Sequence, residues 1–394
     1  MNFTKLAYLA FAGWAFAGCA DDNAPNSEDR SNALTVQDSQ IRRPLQRGLD
    51  RLHAGGVVGV VARASDGRQQ VDARSGTARR DGAEPVPFES HFRMGSNTKT
   101  FVAVVVLKLV DEGKIRLDDT VDRWLPGLVS GHGNDGKTIT IRHLLQHTSG
   151  LRNYTQDMLD PFTEKDYYAE RFRHLEPEEL VAKAIAHEPN FAPGTSWSYS
   201  NTNYTLAGMI IEKVTGHPWA SEIRTRILEP LQMWHTFEPG DWPALPAPHA
   251  QGYNAFSEGK PLVDVTLFNM SWGGAAGSLI TTTEDLTRFW RALQEGELLS
   301  PARMAEMHET VPATELQAVF PGLRDGLGVF WSPTRCGGFW HHPGDTPGFS
   351  TRNAVNDEGT RALVLSENTT GDVPASQRIK EELQLLEDVM CAGQ

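Results

Sequence analysis

Residues 94–107 read MGSNTKTFVAVVVL and largely decide the fold. The second half, residues 101–107, is apolar throughout, and a helix that is apolar on nearly every face lies at the centre of a protein. Ser96 and Lys99 stand at the start of this helix, three positions apart, so their side chains share a face within reach of each other. The pattern predicts a buried helix that begins with a reactive pair.

The pairing of Ser96 with Lys99 suits nucleophilic catalysis. A serine hydroxyl becomes a useful nucleophile when a neighbour takes its proton, and a lysine takes it when burial or a second cation holds the amine neutral. The free N–H groups of a helix start also favour the oxyanion of a tetrahedral intermediate. The Ser-x-x-Lys pattern alone is weak, because about one or two arise by chance in a chain of this length. The other reading is a solvated capping serine with a surface lysine, and further motifs have to decide.

Elements at both ends of the chain predict one sheet that is built from both termini, since strand patterns surround a helical middle. A turn at Asp66-Gly67 marks a hairpin close to the start. The expected elements of this sheet lobe, about residues 38–116 and 273–394, are a helix at 41–52, strands at 57–62, 69–74 and 277–281, helices at 283–294 and 301–308, strands over 326–365 and a helix at 376–390.

The middle of the chain, about residues 117–272, predicts a mostly helical lobe inserted into the sheet lobe, because periodic segments alternate with Pro/Gly loops. The fold class is therefore α/β, more specifically α+β. The helices expected in the inserted lobe cover residues 141–146, 177–186, 202–214 and 219–227.

The first residues predict an export signal over 1–19, because Lys5 precedes an apolar run and small residues. Two kinds of processing compete. The segment Ala15-Phe16-Ala17 suits ordinary signal cleavage, whereas residues 16–19 resemble a bacterial lipobox in which Cys19 takes a lipid, and the lipoprotein is the favoured reading. The remaining alternative is a buried amino-terminal helix. Residues 20–37 are small and polar, which predicts a flexible tether.

Composition excludes several classes of function. The chain has 50 Asp and Glu against 37 Lys and Arg, a net charge of −13, and its cations form no block, so nucleic acid is an unsuitable partner. The chain has no His-Glu-x-x-His, no closely spaced cysteine pair and no glycine-rich phosphate loop after a strand, and no metal or cofactor is expected.

Two cysteines, Cys336 and Cys391, remain after the signal. An even pair in an exported chain favours a disulfide. The alternative is two unrelated buried thiols.

A second motif, Tyr199-Ser200-Asn201, follows Pro193-Gly194 and precedes a helix, so it lies on a loop. The tyrosine phenol can relay a proton near a cation, and the asparagine amide can bind a substrate amide. A plain helix cap by Ser200 or Asn201 is the other reading.

The third motif is His342-Pro343-Gly344, followed by Asp345, in the strand-rich carboxy-terminal region. A strand that borders a cleft can present N–H groups to a substrate, and Gly344 permits close approach. Pro343 lacks an N–H, which is tolerable mainly at a sheet edge. The alternative for His341 and His342 is a pair of ordinary surface imidazoles.

Together the three motifs resemble, in identity and order, the serine β-lactamase and penicillin-binding protein superfamily. The closest likeness is to secreted D-alanyl-D-alanine carboxypeptidases related to class C β-lactamases. The resemblance spans nearly the whole mature chain and implies a β-lactamase/transpeptidase-like fold, an antiparallel sheet flanked by helices plus the inserted helical lobe. The stretches that carry it are FRMGSNTKTF, LVDEGKIRLDD, LLQHTSGL, APGTSWSYSNTNY, AGMIIEKVTG, SWGGAAGSLITTTEDL and HHPGDTPGF.

The resemblance also implies roles for individual residues. Ser96 would be acylated, and Lys99 and Tyr199 would share the proton transfers. In the same way, Asn201 would hold the acyl-side amide of the substrate, Trp272 would wall the acyl side of the cleft, and His342 would replace the lysine of the third motif. The N–H groups of Ser96 and Asp345 would form the oxyanion hole. Cys336 and Cys391 would form a disulfide that is known from some relatives.

Three positions depart from the carboxypeptidase pattern. Pro343 and Asp345 stand where hydroxyl-bearing residues help to receive the terminal carboxylate of the substrate, and Phe330 lies near the place of a basic residue. These changes leave acyl transfer intact but weaken the case for carboxypeptidase specificity. A cleft-facing Asp345 about 4 Å from a substrate carboxylate would cost roughly 4 kcal/mol. The alternative is that Asp345 points into the sheet or pairs with a cation.

Three functions follow from these observations. The leading one is a D-alanyl-D-alanine carboxypeptidase-like D,D-peptidase of the cell envelope, secreted or lipid-anchored at the outer face of the cytoplasmic membrane, with peptidoglycan-type peptides as substrates and β-lactams as covalent ligands. The second keeps the serine hydrolase and changes the substrate to esters, D-amino-acid amides or β-lactams. The third is a penicillin receptor that is acylated without turnover.

Overall fold

The computed structural model describes residues 27–67, 69–159, 162–371 and 375–394. The expected export signal, with Cys19, lies outside these residues. Helix α1 begins at Ser27, so the tether prediction is wrong for residues 27–37. No glycine or proline lies between Ser27 and Pro44, which allows the helix to start early.

The helices and strands mostly follow the sequence pattern. The helices are α1 Ser27–Ala54, α2 Thr98–Asp111, α3 Val121–Trp124, α4 Ile141–Leu145, α5 Gln156–Leu159, α6 Glu164–Glu170, α7 Pro177–Ile185, α8 Asn201–Thr215, α9 Trp219–Ile223, α10 Gly274–Gly277, α11 Thr283–Gln294, α12 Pro301–Met307 and α13 Ala375–Met390. The strands are β1 Gly59–Asp66, β2 Gln69–Gly76, β3 Phe92–Arg93, β4 Ser130–Gly131, β5 Asn134–Asp135, β6 Tyr253–Asn254, β7 Val263–Asp264, β8 Ile280–Thr281, β9 Val311–Pro312, β10 Arg324–Asp325, β11 Phe330–Thr334, β12 Gly337–His341, β13 Gly344–Thr346, β14 Phe349–Val355, β15 Arg361–Glu367 and β16 Thr369–Thr370.

The main sheet joins both ends of the chain, as the sequence predicts. Its strand order is β2-β1-β15-β14-β12-β11-β10-β9, with β13 paired to β14, and every pairing is antiparallel. Along β15, Leu363 and Leu365 pack with α1 and α13, whereas Ala362 and Val364 pack into the larger core with α2 and α11. The alternation of side chains along a strand thus separates the two faces of the sheet.

Helix α2 is the centre of the larger core. Every residue from 99 to 107 is fully buried. Phe101 stacks on Phe289 of α11 with ring centroids 3.7 Å apart, and α8 packs against α2 from the inserted lobe. The buried helix expected from residues 94–107 is confirmed.

The inserted lobe is mostly helical, with α3 to α9, and also carries the short strands β4 to β7 that the sequence pattern did not indicate. The strand expected at 277–281 is correct only for β8. The residues before it form α10, because Gly274 has a positive φ of 41° and lets the chain turn into a short helix.

Neither a membrane-spanning helix nor a metal site is found among the residues that the structure describes. None of the helices in this part of the chain is long and apolar enough to cross a membrane. Within the same ranges, no three His, Cys, Asp or Glu side chains are grouped so that they could hold a metal ion.

Cys336 and Cys391 form a disulfide, with Cα atoms 5.6 Å apart. The bond ties the turn between β11 and β12 to the residue after α13. It closes a loop with a sequence separation of 55, so it restricts the unfolded chain over the whole carboxy-terminal part of the sheet.

We expect the double variant Cys336→Ser/Cys391→Ser to lose up to about 4 kcal/mol of unfolding free energy, the chain-entropy estimate for a loop of this size. Denaturant unfolding followed by fluorescence measures the loss. A reductant should move the wild-type midpoint to that of the variant and leave the variant itself unchanged. A wild-type midpoint that does not respond to the reductant contradicts the prediction.

Candidate active site

Two glycines bring strand β13 against the turn that carries Ser96. Gly95 has a φ of 54°, and a Cβ atom there would lie 2.8 Å from the backbone nitrogen of Asp345. A Cβ atom on Gly344 would lie 1.9 Å from the Met94 carbonyl oxygen. Since real Cβ atoms do not come this close to backbone atoms, both positions require glycine. Gly344 thus serves close approach, as expected, and the approach is to the Ser96 turn.

Asn353 of β14 fastens the same junction. Its Nδ2 donates to the His342 carbonyl oxygen at 2.8 Å and to Oδ1 of Asn97, and its Oδ1 accepts the His342 N–H at 2.9 Å. Asn353 is buried. Sequence reasoning missed this residue, because no motif marks it and its partners come from distant parts of the chain.

Lys99 is fully buried beside Ser96. Its Nζ lies 2.9 Å from Ser96 Oγ, 2.7 Å from Asn201 Oδ1 and 2.6 Å from the Ala276 carbonyl oxygen. Burial lowers the pKa of Lys99 well below its ordinary value. A neutral amine has two N–H donors, which Asn201 and Ala276 accept, and its lone pair is then left for the Ser96 hydroxyl. The reading of Lys99 as a surface cation is wrong.

Tyr199 completes a compact group around the serine. Its hydroxyl is hydrogen-bonded to the Ser96 side chain, and its ring centroid lies 5.0 Å from Lys99 Nζ. Burial raises the pKa of Tyr199, so the phenol stays protonated. Ser200 stands at the N-cap of α8 but makes no capping bond with its side chain, which donates to the Arg152 carbonyl oxygen instead.

His147 supports Tyr199 from behind and was missed as a site residue. The two ring centroids are 4.4 Å apart. His147 Nδ1 accepts from the Ser200 N–H at 3.2 Å and from Asn203 Nδ2 at 3.1 Å. Burial lowers the pKa of His147 well below its ordinary value, so the ring is neutral. The LLQHTSGL stretch, which contains this residue, was the available signal.

His342 is buried in the site, so the reading of a surface imidazole is wrong. Its Nδ1 lies 2.8 Å from the Pro343 carbonyl oxygen, which makes Nδ1 the protonated nitrogen of a neutral ring. Burial lowers the pKa of His342 well below its ordinary value. The Phe330 ring lies 5.0 Å away. His342 therefore brings no cation to the site.

The side chain of Asp345 pairs with a cation, which corrects the picture of an uncompensated charge in the cleft. Its Oδ1 accepts from Ser350 Oγ at 2.8 Å and from Arg352 Nη1 at 3.0 Å. Desolvation would raise the pKa of Asp345, but Arg352 and Ser350 hold it below its ordinary value. The carboxylate is thus ionised and its charge is balanced.

Trp272 walls a cavity of about 310 Å³. Its carbonyl oxygen accepts from the Tyr154 hydroxyl at 2.6 Å, which fixes the backbone four residues before Ala276. The other apolar wall residues are Met158, Phe162, Leu175 and Phe268, the acidic ones are Asp157, Asp166 and Glu170, and the basic ones are Arg173 and Lys183.

Most residues predicted for the site meet around Ser96. Lys99 and Asn201 lie in direct contact with each other, Tyr199 contacts Ser96, and His342 lies 6.3 Å from Tyr199 between ring centroids. The disulfide lies apart, at the far end of β11 and α13.

Known proteins with the same architecture include two amide hydrolases. A D-stereospecific amidohydrolase from Streptomyces sp. has a TM-score of 0.80 and 40% identity, over 86% of this chain and 97% of that one. A D-amino acid amidase from Ochrobactrum anthropi has a TM-score of 0.77 and 29% identity, over 89% and 98%.

Among curated proteins, penicillin-binding protein 4* of Bacillus subtilis is 30% identical over 307 residues, 75% of this chain and 64% of that protein. The chain spans between about 37% and 66% of the lengths of the curated relatives it matches. A model of the family described as Beta-lactamase matches residues 41–387. The chain belongs to this family of serine hydrolases, which includes penicillin-binding proteins and D-amino acid amidases.

Proposed function

We propose that this protein hydrolyses amides of D-amino acids through an acyl-enzyme at Ser96. The observation that carries this proposal is that three residues around the third motif, His342, Phe330 and Arg352, supply no free cation to Ser96. His342 is neutral, Phe330 is apolar, and Arg352 is engaged by Asp345. A terminal carboxylate would lose its hydration there without gaining a partner, whereas a carboxamide carries no charge.

The cavity beside Trp272 supports a substrate with an apolar side chain. Its apolar residues suit the side chain of an amino acid, whereas its charged residues include the cations Arg173 and Lys183 as well as carboxylates, and Glu170 pairs with Arg173. The Streptomyces and Ochrobactrum relatives, named for D-stereospecific and D-amino acid substrates, support the D configuration.

The proposed reaction uses each member of the site. Ser96 Oγ attacks the amide carbonyl while its proton passes to Lys99 Nζ, and the N–H groups of Ser96 and Asp345 bind the oxyanion. Tyr199 relays the proton to the leaving nitrogen as the C–N bond breaks and ammonia departs. Water then attacks the acyl-enzyme, gives its proton to the same base, and Ser96 leaves.

A D,D-peptidase is the second candidate, because penicillin-binding proteins are among the relatives. For both candidates we propose an exported enzyme. The disulfide supports this location, since such bonds persist in oxidising compartments.

The first prediction concerns the nucleophile. We expect Ser96→Ala to abolish covalent labelling by a fluorescent penicillin with little change in melting temperature, because only one hydroxyl is removed. Gel fluorescence and mass spectrometry of the labelled peptide measure this. Ser200→Ala, which removes a hydroxyl from the neighbouring loop, is the matched control and should still be labelled. An adduct on any residue other than Ser96 refutes the assignment.

The second prediction concerns the charge of Lys99. We expect Lys99→Met to slow acylation by several decades, because nucleophile and base act as a unit. Between the lowered pKa of folded Lys99 and its unfolded value of about 10.4, the unfolded chain binds more protons, so raising the pH stabilises the wild type. The wild-type melting temperature minus that of Lys99→Met should therefore increase from pH 7 to pH 10. A constant difference would show that Lys99 is charged in the folded protein.

The third prediction separates the two candidate functions. We expect kcat/KM for a D-amino-acid amide to exceed that for a D-Ala-D-Ala peptide by at least about a hundredfold, since an unpaired carboxylate costs about 3 kcal/mol. The L-amide and the carboxamide of the D-Ala-D-Ala peptide are the controls for stereochemistry and for charge. Faster hydrolysis of the free D-Ala-D-Ala carboxylate would favour the D,D-peptidase.

A further inference from the structure

An ion-pair network that is buried at Arg352 and Glu382, and open to water at Asp345 with its side chain 56% exposed, connects helix α13 with the strand beside Ser96. Arg352 of β14 is at its centre, with a side chain that is only 11% exposed. Its Nε lies 2.6 Å from Glu382 Oε2 of α13, and its Nη1 lies 3.0 Å from Asp345 Oδ1 of β13. Although burial opposes the charge of Arg352, Asp345 and Glu382 hold its pKa above the ordinary value. The guanidinium thus remains charged and bridges two carboxylates.

The register of the strands places this network on the face of strand β13 that is turned away from Ser96. Asp345 stands directly opposite Ser350 in the strand pairing, and the side chains of Ser350 and Arg352 lie on the same face of β14. The side chain of Asn353 lies on the other face, where it is hydrogen-bonded to Asn97 of the Ser96 turn. The Asp345 carboxylate therefore lies on the α13 face of the sheet, while its backbone nitrogen lies beside Gly95.

The charge of Asp345 sets a problem for the proposed reaction. Its carboxylate belongs to the same residue as one of the N–H groups that would bind the oxyanion, and two negative charges so close repel each other. Asp345 also belongs to the three-residue strand β13, which pairs with β14 and with no other strand of the sheet. Arg352 balances the negative charge of Asp345, and it also connects the short strand β13 to helix α13.

Other charged groups keep Arg352 in this place. Glu367 of β15 is fully buried, and burial together with nearby Glu382 raises its pKa well above the ordinary value, so it adds little negative charge. Arg378 Nε of α13 lies 3.5 Å from Glu382 Oε1 and 3.9 Å from Glu367 Oε2. Arg378 is thus a second cation beside the carboxyl groups of Glu382 and Glu367, and Arg352 stays available to Asp345.

We propose that Arg352 is a positioning residue for the oxyanion hole, held by Glu382 of α13 and acting through Asp345 of β13. The inference rests on the proposed function for the identity of the two N–H donors. It adds that Arg352 is the cation in direct contact with the Asp345 carboxylate and balances its charge, and that helix α13 takes part in acyl transfer without touching the substrate.

The central experiment compares Arg352→Gln with the wild type. We expect kcat for a D-amino-acid amide to fall roughly a hundredfold, the typical cost of disabling an oxyanion donor, with KM changed less than about threefold. Phenylboronic acid forms a tetrahedral anion on a serine nucleophile, and its affinity should fall by a similar factor. A merely structural role of Arg352 would lower the melting temperature without this selective loss of anion binding.

Two further variants complete the design. Asp345→Ser/Arg352→Gln removes both charges and should recover most of kcat and of the boronate affinity. The matched control is Arg361→Gln, since Arg361 also joins a sheet strand to the end of α13, with Nη2 2.8 Å from Asp66 Oδ2 and Nη1 bound to the Met390 and Ala392 carbonyl oxygens. Its melting temperature should fall and its kcat should stay at the wild-type value.

Unchanged kcat and unchanged boronate affinity in Arg352→Gln overturn the inference, as does a double variant that is no better than the single one. If Arg352→Gln does not fold, Glu382→Gln takes its place, with a smaller loss of kcat expected and an unchanged kcat as the contrary result. Wild type that binds the boronate at Ser96 but does not hydrolyse the amide would refute the proposed substrate, while the boronate series still tests Arg352.

Discussion

The burial of the Lys99 amine beside Ser96 is the interaction on which the rest of the structure depends. An ammonium without access to water is costly, and the neutral form is favoured when its N–H groups find acceptors. The acceptors come from two other elements, Asn201 at the start of α8 and Ala276 in α10. The apolar helix α2 therefore does more than fill the core: it removes water from the base, while the two lobes supply the partners that keep the amine neutral. Acid–base chemistry in this protein is thus a consequence of how the inserted lobe packs on the sheet lobe.

The second constraint is the contact between the Ser96 turn and strand β13, because the proposed nucleophile and the proposed oxyanion donor come from opposite ends of the chain. Gly95 and Gly344 let the two backbones meet, and Asn353 ties them together. The strand has only three residues and one partner in the sheet, so its position relies on side chains. The network through Arg352 adds a support from the opposite face of the sheet, where the terminal helix α13 is itself held by the disulfide.

Much of this arrangement could be predicted from the sequence, for reasons that are local. Helix α11 matches the predicted bounds 283–294, because its apolar periodicity and its capping Thr282 are written in consecutive residues. The pairing of Ser96 with Lys99 follows from helical spacing in the same way. Interactions across the sheet could not be predicted, because they depend on strand register: Arg352 reaches Asp345 seven positions away and Glu382 thirty positions away. The early start of α1 was missed because polar composition suggested a tether, although no residue in 27–37 breaks a helix.

The same register changes the premise on which the predicted specificity rests. Asp345 was expected either to repel a carboxylate in the cleft or to be paired, and the structure pairs it with Arg352. Its charge therefore adds little repulsion of its own. What remains is the lack of attraction: a neutral His342, an apolar Phe330 and an Arg352 whose guanidinium is already shared by two carboxylates. Repulsion and lack of attraction both disfavour an anionic leaving group, but only the second is independent of the protonation of Asp345. In the proposed reaction, discrimination against a carboxylate is then a property of the neutral site as a whole, and the charge of Asp345 alone does not determine it.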